Sequence, residues 1–83
     1  MNQDKLNIII GKNIKKYRKI YNINNNDYLT QEKLAELMNV SVSLVSNLES
    51  NKSKKGISIT NLYKISIILN TPINKFFEDE KNE

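Results

Sequence analysis

The chain has 83 residues and a formal net charge of +4, and it contains neither histidine nor cysteine. This length suits one domain with one modest core, so we expect a single domain over residues 1–83 that ends in a short acidic tail from about residue 79. Without these two residue types the chain has no imidazole base, no Ser-His triad, no histidine metal site and no disulfide framework, which argues against an enzyme.

The first predicted helix is marked by apolar residues that recur every three or four positions. This spacing is typical of a helix with one buried face. The helix is expected to begin near Asp4 or Lys5, to end near Tyr21, and to be followed by an asparagine-rich loop over residues 22–28. The residues that carry the pattern are Leu6, Ile10, Ile14, Tyr17 and Tyr21.

Two short helices that meet at a tight turn are predicted by residues 31–50. Thr30 is expected to cap the second helix and Ser41 the third, which should run from about Val42 to Glu49. Asn39 should reverse the chain between them, because asparagine tolerates the left-handed conformation better than other non-glycine residues. Small Ala35 should lie where the helices cross. The inward faces are expected to consist of Leu34, Leu37 and Met38 on the second helix, and of Val45 and Leu48 on the third.

Two further helices are expected in the last third of the chain. Ser58 should cap the fourth, with Asn70 as a left-handed residue at its end. Thr71 should cap the fifth helix, and Pro72 should begin it, because proline lacks only an amide that would be unpaired there. The buried face of the fourth helix is expected to be Leu62, Ile65 and Leu69.

The order of these segments resembles that of a known family. The matching segments are residues 14–18, 29–35, 40–41 and 45–49, then Ile59, Leu62, Ile65 and Leu69, and finally residues 71–73 and 76–77. From residue 10 to residue 77 the chain is similar to the Cro and lambda-repressor type of helix-turn-helix domain, the XRE-like regulators. The resemblance implies an all-α, compact five-helix domain that binds double-stranded DNA. Residues 22–28 make the first loop longer than the family norm.

The resemblance implies that the third helix lies in the major groove. Its outward residues are then Asn47, Ser43, Val42 and Ser46. Asn47 is the strongest candidate reader, because an asparagine amide can pair with both N6 and N7 of adenine. The alternative for each is a solvated helix residue without a base contact.

DNA phosphates are expected to contact two places outside the third helix. Gln31 opens the second helix, where relatives contact a phosphate. The loop after the third helix carries three lysines, whose alternative role is simple solvation. The expected phosphate-binding residues of this loop are Lys52, Ser53, Lys54 and Lys55.

Two structural features also follow from the resemblance. Arg18 and Glu49 correspond to an arginine and a glutamate that pair to lock the first helix onto the third. Relatives dimerise through the last helices, and this chain has more apolar residues there than a small core needs, so a homodimer on a near-palindromic operator is expected. The predicted interface residues are Ile67, Ile68, Ile73, Phe76 and Phe77.

The predicted function is that of a sequence-specific transcriptional regulator, a repressor. It is expected to act in the cytoplasm of a bacterium and to be encoded by the bacterium or its phage. The rival is a protein-binding module of antitoxin or anti-repressor type on the same scaffold. No cofactor, metal, membrane or small-molecule ligand is expected, since no apolar run reaches the ~18 residues of a membrane span and the two isolated glycines cannot form a phosphate-cradling loop.

Overall fold

Four α-helices and one short 3₁₀ helix make up the part of the chain that the computed structural model describes, residues 2–50 and 56–79. The α-helices are α1 (Gln3–Asn25), α2 (Gln31–Met38), α3 (Val42–Glu49) and α4 (Ile59–Ile68), and the 3₁₀ helix covers Ile73–Phe77. The all-α class is as predicted. The fifth helix differs in type, because a single 3₁₀ turn takes its place.

The N-terminal caps of α2, α3 and α4 are hydroxyl residues. The side chains of Thr30, Ser41 and Ser58 accept hydrogen bonds from the backbone N–H groups three residues later, at 3.0, 3.2 and 3.1 Å. Each bond satisfies an amide that the helix itself leaves unpaired. These three caps confirm the predicted starts of the helices.

The turn between α2 and α3 is built on Asn39. This residue has φ 60° and ψ 47°, and the next amide, that of Val40, donates to the carbonyl of Ala35 at 3.0 Å. A left-handed residue followed by this six-to-one bond is the usual way to end a helix and reverse the chain. Asn39 therefore has the left-handed conformation expected of it, as does Asn70 after α4.

The first helix is one turn longer than predicted. It continues through Asn25 and ends at the left-handed Asn26, φ 49°, so that much of the expected loop is helical. The Asn25 side chain donates to the Tyr21 carbonyl, and Asn22 binds Leu29 across the remaining loop. Asparagine side chains that bond the backbone in this way explain how the helix extends through residues 22–25, where the apolar residue, Ile23, is exposed and packs against nothing in the core.

The core lies where α1, α2, α3 and α4 meet the 3₁₀ helix. Leu37 is an exception to the predicted inward face of α2, since it is 52% exposed. Leu34 and Met38 fill the interior. Leu37 points outward because it lies about 60° from Leu34 and about 100° from Met38 around the helix, on the side away from the core. The core residues are Ile10, Ile14, Leu29, Leu34, Ala35, Met38, Val45, Leu48, Leu62, Ile65, Leu69 and Phe76.

The C-terminal segment is fastened to α1 through one buried amide. Asn13 donates to the carbonyls of Phe76 and Glu78 at 2.8 and 2.9 Å. Thr71 does not cap the 3₁₀ helix as expected; its hydroxyl donates to the Leu69 carbonyl, and Pro72 occupies the cap position without a side-chain bond. The segment is therefore held by tertiary contacts instead of by a capped α-helix.

Candidate nucleic-acid interface

One face of α3 is buried and the other is open to solvent. Val45 and Leu48 pack into the core, and Val42, Ser43, Ser46 and Asn47 are exposed. The four predicted base-reading residues thus lie together on one side of a short helix.

The polar groups on this exposed face are not engaged by the rest of the protein. Among the described residues, the side chains of Ser43, Ser46 and Asn47 have no hydrogen-bond partner. Val42, which is 45% exposed, adds an apolar methyl surface at the start of the helix. The face can therefore offer one amide, two hydroxyls and a methyl-bearing side chain to a ligand. Leu44, in contrast, is partly buried against the core.

A bidentate ion pair anchors the end of α3 to α1. Arg18 Nε and Nη2 donate to the two carboxylate oxygens of Glu49 at 2.8 and 2.9 Å. The exposed fractions of these side chains are 12% and 2%, so the pair is largely removed from water. Hydrogen bonding to Glu49 raises the pKa of Arg18 above its ordinary value, although partial burial opposes this shift. The guanidinium therefore keeps its charge at any working pH.

The same ion pair extends to the start of α2. Gln31 Nε2 donates to Glu49 Oε1 at 2.9 Å, and Arg18 Nη1 donates to the Leu29 carbonyl at 3.0 Å. The Glu49 carboxylate at the end of α3 thus contacts Arg18 of α1 and the first residue of α2, and it fixes the three helices relative to one another. Charge-assisted bonds of this bidentate kind set orientation as well as adding energy.

A helix-turn-helix family model matches residues 14–76, which contain the second half of α1 and all of α2, α3 and α4. The chain belongs to this family, the XRE-type helix-turn-helix regulators. It is a family of DNA-binding domains and not of enzymes. No match was found among the curated proteins. No helix within the described ranges is long and apolar enough to cross a membrane.

In this helix-turn-helix domain, Gln31 has a second role besides the predicted phosphate contact. Its amide nitrogen is committed to Glu49, and the side chain is half-buried. The amide oxygen accepts, so it cannot donate to a phosphate. A phosphate contact at this residue would therefore use its backbone N–H or the second amide hydrogen.

The expected phosphate-binding loop lies outside the described residues. Lys52, Ser53, Lys54 and Lys55 all fall between Ser50, which follows α3, and Gly56, which precedes α4. Their contact with DNA stays a prediction. In the sequence they follow α3 within three to six residues.

The residues expected at a dimer interface fall into three groups in the helix-turn-helix domain. Phe76 is fully buried and meets Tyr17 edge to face, with 5.5 Å between ring centroids, so it is not available to a second copy. Ile68 and Ile73 are partly buried against the core. Ile67 and Phe77 are 62% and 42% exposed. The two adjacent phenylalanines differ in burial because Phe76 fills the space in the core and leaves Phe77 at the surface.

Gly11 is a positioning residue that the sequence analysis missed. A Cβ at this position would overlap the carbonyl oxygen of Leu48, which shows that α1 crosses the backbone of α3 at very close range. The signal was present in the sequence, because glycine in a helix costs about 1 kcal/mol relative to alanine and so usually has a packing reason.

Proposed function

We propose that this chain is a transcriptional repressor that binds a near-palindromic operator as a homodimer, with α3 in the major groove. The observation that carries the proposal is the exposed face of α3, where Ser43, Ser46 and Asn47 present polar side chains that have no partner among the described residues. The opposite face of the helix is fixed by the core and by the Arg18–Glu49 pair. A rigid helix with one free polar face suits the reading of base edges.

Asn47 is the residue that we assign to direct reading. Its amide nitrogen can donate to N7 of adenine while its amide oxygen accepts from N6. Such a bidentate pair favours adenine over another base by about 1–3 kcal/mol. The hydroxyls of Ser43 and Ser46 discriminate less, since they both donate and accept. Val42 supplies an apolar contact of the kind that a thymine methyl accepts.

The chain's positive charge supplies the sequence-independent part of the binding. Gln31 and the lysines of the loop after α3, at positions 52, 54 and 55, are the residues that we assign to phosphates, with Ser53 between them. Each phosphate that a lysine neutralises releases counterions, so binding should weaken steeply as salt rises. A protein-binding module on the same scaffold would not require such a dependence.

A homodimer is supported by an apolar stripe on α4. Ile59, Tyr63 and Ile67 are 70%, 60% and 62% exposed, and they are spaced four residues apart on one side of the helix. Phe77 is exposed on the following 3₁₀ helix. Two copies that bury these residues symmetrically would double the base contacts, with the recognition helices about 34 Å apart. This set replaces the buried Phe76 in the predicted interface.

Selection of DNA fragments tests the reading role. Purified protein would be used to retain fragments from a random pool, and the recovered site would be compared with random DNA at two salt concentrations. Asn47→Ala should lose about 1–3 kcal/mol on the selected site and little on random DNA. Asn74→Ala, the same substitution at an exposed position on the 3₁₀ helix, serves as the matched control. An unchanged preference in the Asn47 variant would overturn its assignment.

Sedimentation tests the dimer. Ile67→Asp should give a monomer at micromolar concentration and should bind the full operator more weakly than the wild type, because the charge cannot be buried in an apolar interface. Ile23→Asp is the matched control, since Ile23 is 79% exposed on α1. If the wild type is a monomer both free and on DNA and protects one asymmetric half-site, the homodimer is excluded.

A further inference from the structure

A second surface lies next to the reading helix, at the junction of α1 and α2. It is a shallow pocket of about 450 Å³ lined by Lys19 and Asn22 of α1, Tyr28 and Gln31 around the start of α2, and Val42 at the start of α3. Because Val42 belongs to the reading helix, the pocket is continuous with the proposed DNA-binding face.

Tyr28 is exposed although its backbone is held on both sides. Its side chain is 82% exposed. Its N–H donates to Asp27 Oδ1 at 2.8 Å, and the following residue, Leu29, is held by Asn22, which accepts the Leu29 N–H at 2.7 Å and donates to the Leu29 carbonyl at 3.2 Å. Arg18 donates to the same carbonyl. An aromatic ring is thus presented to solvent from a fixed position.

The Tyr28 ring itself contributes nothing to the core, although the bonds to Leu29, a core residue, order the backbone next to it. A contact made by a residue whose backbone is already ordered costs little conformational entropy on binding. Tyrosine hydroxyls are among the groups that commonly donate to DNA phosphates. The amino group of Lys19, on the same pocket, has no ion-pair partner among the described residues.

We propose that Tyr28 and Lys19 form an additional contact with the DNA backbone, in which the phenol donates to a phosphate oxygen beside the half-site and the lysine neutralises it. The inference rests on the proposed function, because it requires α3 to lie in the adjacent major groove. This contact does not recognise a base. It fixes the position and orientation of the domain on the duplex.

The pocket also contains one carboxylate. Its removal should change the DNA affinity in the opposite direction to the removal of Tyr28 or Lys19. Glu32 lines the same pocket. If a phosphate passes over Tyr28 and Lys19, the Glu32 carboxylate repels it, and removal of this charge strengthens binding. If no phosphate passes there, Glu32→Gln changes nothing.

The experiment measures the affinity of the full chain for its selected duplex across a salt series. Tyr28→Phe, which removes only the hydroxyl, should weaken binding about 3- to 10-fold. Lys19→Gln should weaken binding and reduce the salt slope by about 1. Glu32→Gln should tighten binding about twofold. Tyr17→Phe, at a tyrosine that packs against Phe76 and does not line this pocket, is the matched control and should bind as the wild type does.

Thermal melts of each variant establish that the fold is retained, which is expected because Lys19, Tyr28 and Glu32 are all exposed. Opposite shifts for Tyr28→Phe and Glu32→Gln support the inference. Wild-type affinity in the Tyr28 and Glu32 variants overturns it and leaves the proposed function standing. A wild-type chain that retains no duplex at low salt overturns the proposed function, and the inference with it.

Discussion

The close crossing of α1 and α3 predicts that Gly11→Ala destabilises the protein. In an exposed helix the same substitution would stabilise by about 1 kcal/mol, because alanine is the better helix former. Here the added Cβ would overlap the carbonyl oxygen of Leu48. That oxygen belongs to the backbone, so it cannot rotate away as a side chain would, and the two helices must move apart.

The magnitude follows from setting these two effects against each other. Overpacking of a core costs about 1–3 kcal/mol, and a backbone obstacle belongs at the upper end of this range. After subtraction of the helix-propensity gain, the net loss in the free energy of unfolding is about 2 kcal/mol. For a domain of this size that loss lowers the melting temperature by roughly 10 °C.

The assay is urea unfolding of Gly11→Ala beside Gly56→Ala. At Gly56 an added Cβ would meet only the end of the Asn7 side chain, at 3.3 Å from Oδ1, and φ there is not in the left-handed region. The control should therefore be neutral or stabilised by up to about 1 kcal/mol. If Gly11→Ala matches the control or exceeds the wild type in stability, the close approach of α1 and α3 is refuted.

Two further predictions concern the ion pair and the aromatic core. Arg18→Ala or Glu49→Ala should each cost about 3 kcal/mol in the free energy of unfolding, because either change leaves a largely buried charge without its partner. The double variant should lose much less than the sum, and additive losses in denaturant midpoints would show that the two side chains act independently. Phe76→Ala should cost about 3–5 kcal/mol, since the ring is fully buried. Phe77→Ala should cost far less in stability of the monomer, and equal losses at the two positions would contradict the assignment of Phe76 to the core.

The local features of the helix-turn-helix could be predicted from the sequence because each depends on residues within one turn of the chain. Thr30, Ser41 and Ser58 cap their helices through bonds to amides three residues later. Asn39 and Asn70 take the left-handed conformation that ends α2 and follows α4. These positions need no information about the rest of the fold, and the family resemblance adds their order along the chain.

Tertiary structure decided the features that depend on partners far along the chain. The two phenylalanines differ because Phe76 alone packs into the core and against Tyr17, which lies on α1. Gly11 matters because Leu48, on another helix, lies against it. The sequence by itself therefore determined the order of the helices, the caps of α2, α3 and α4, and the exposed face of α3. Which of several similar residues is buried, which is exposed and where two helices cross closely could be seen only in the tertiary structure. These features depend on contacts between distant segments, which the local sequence does not specify.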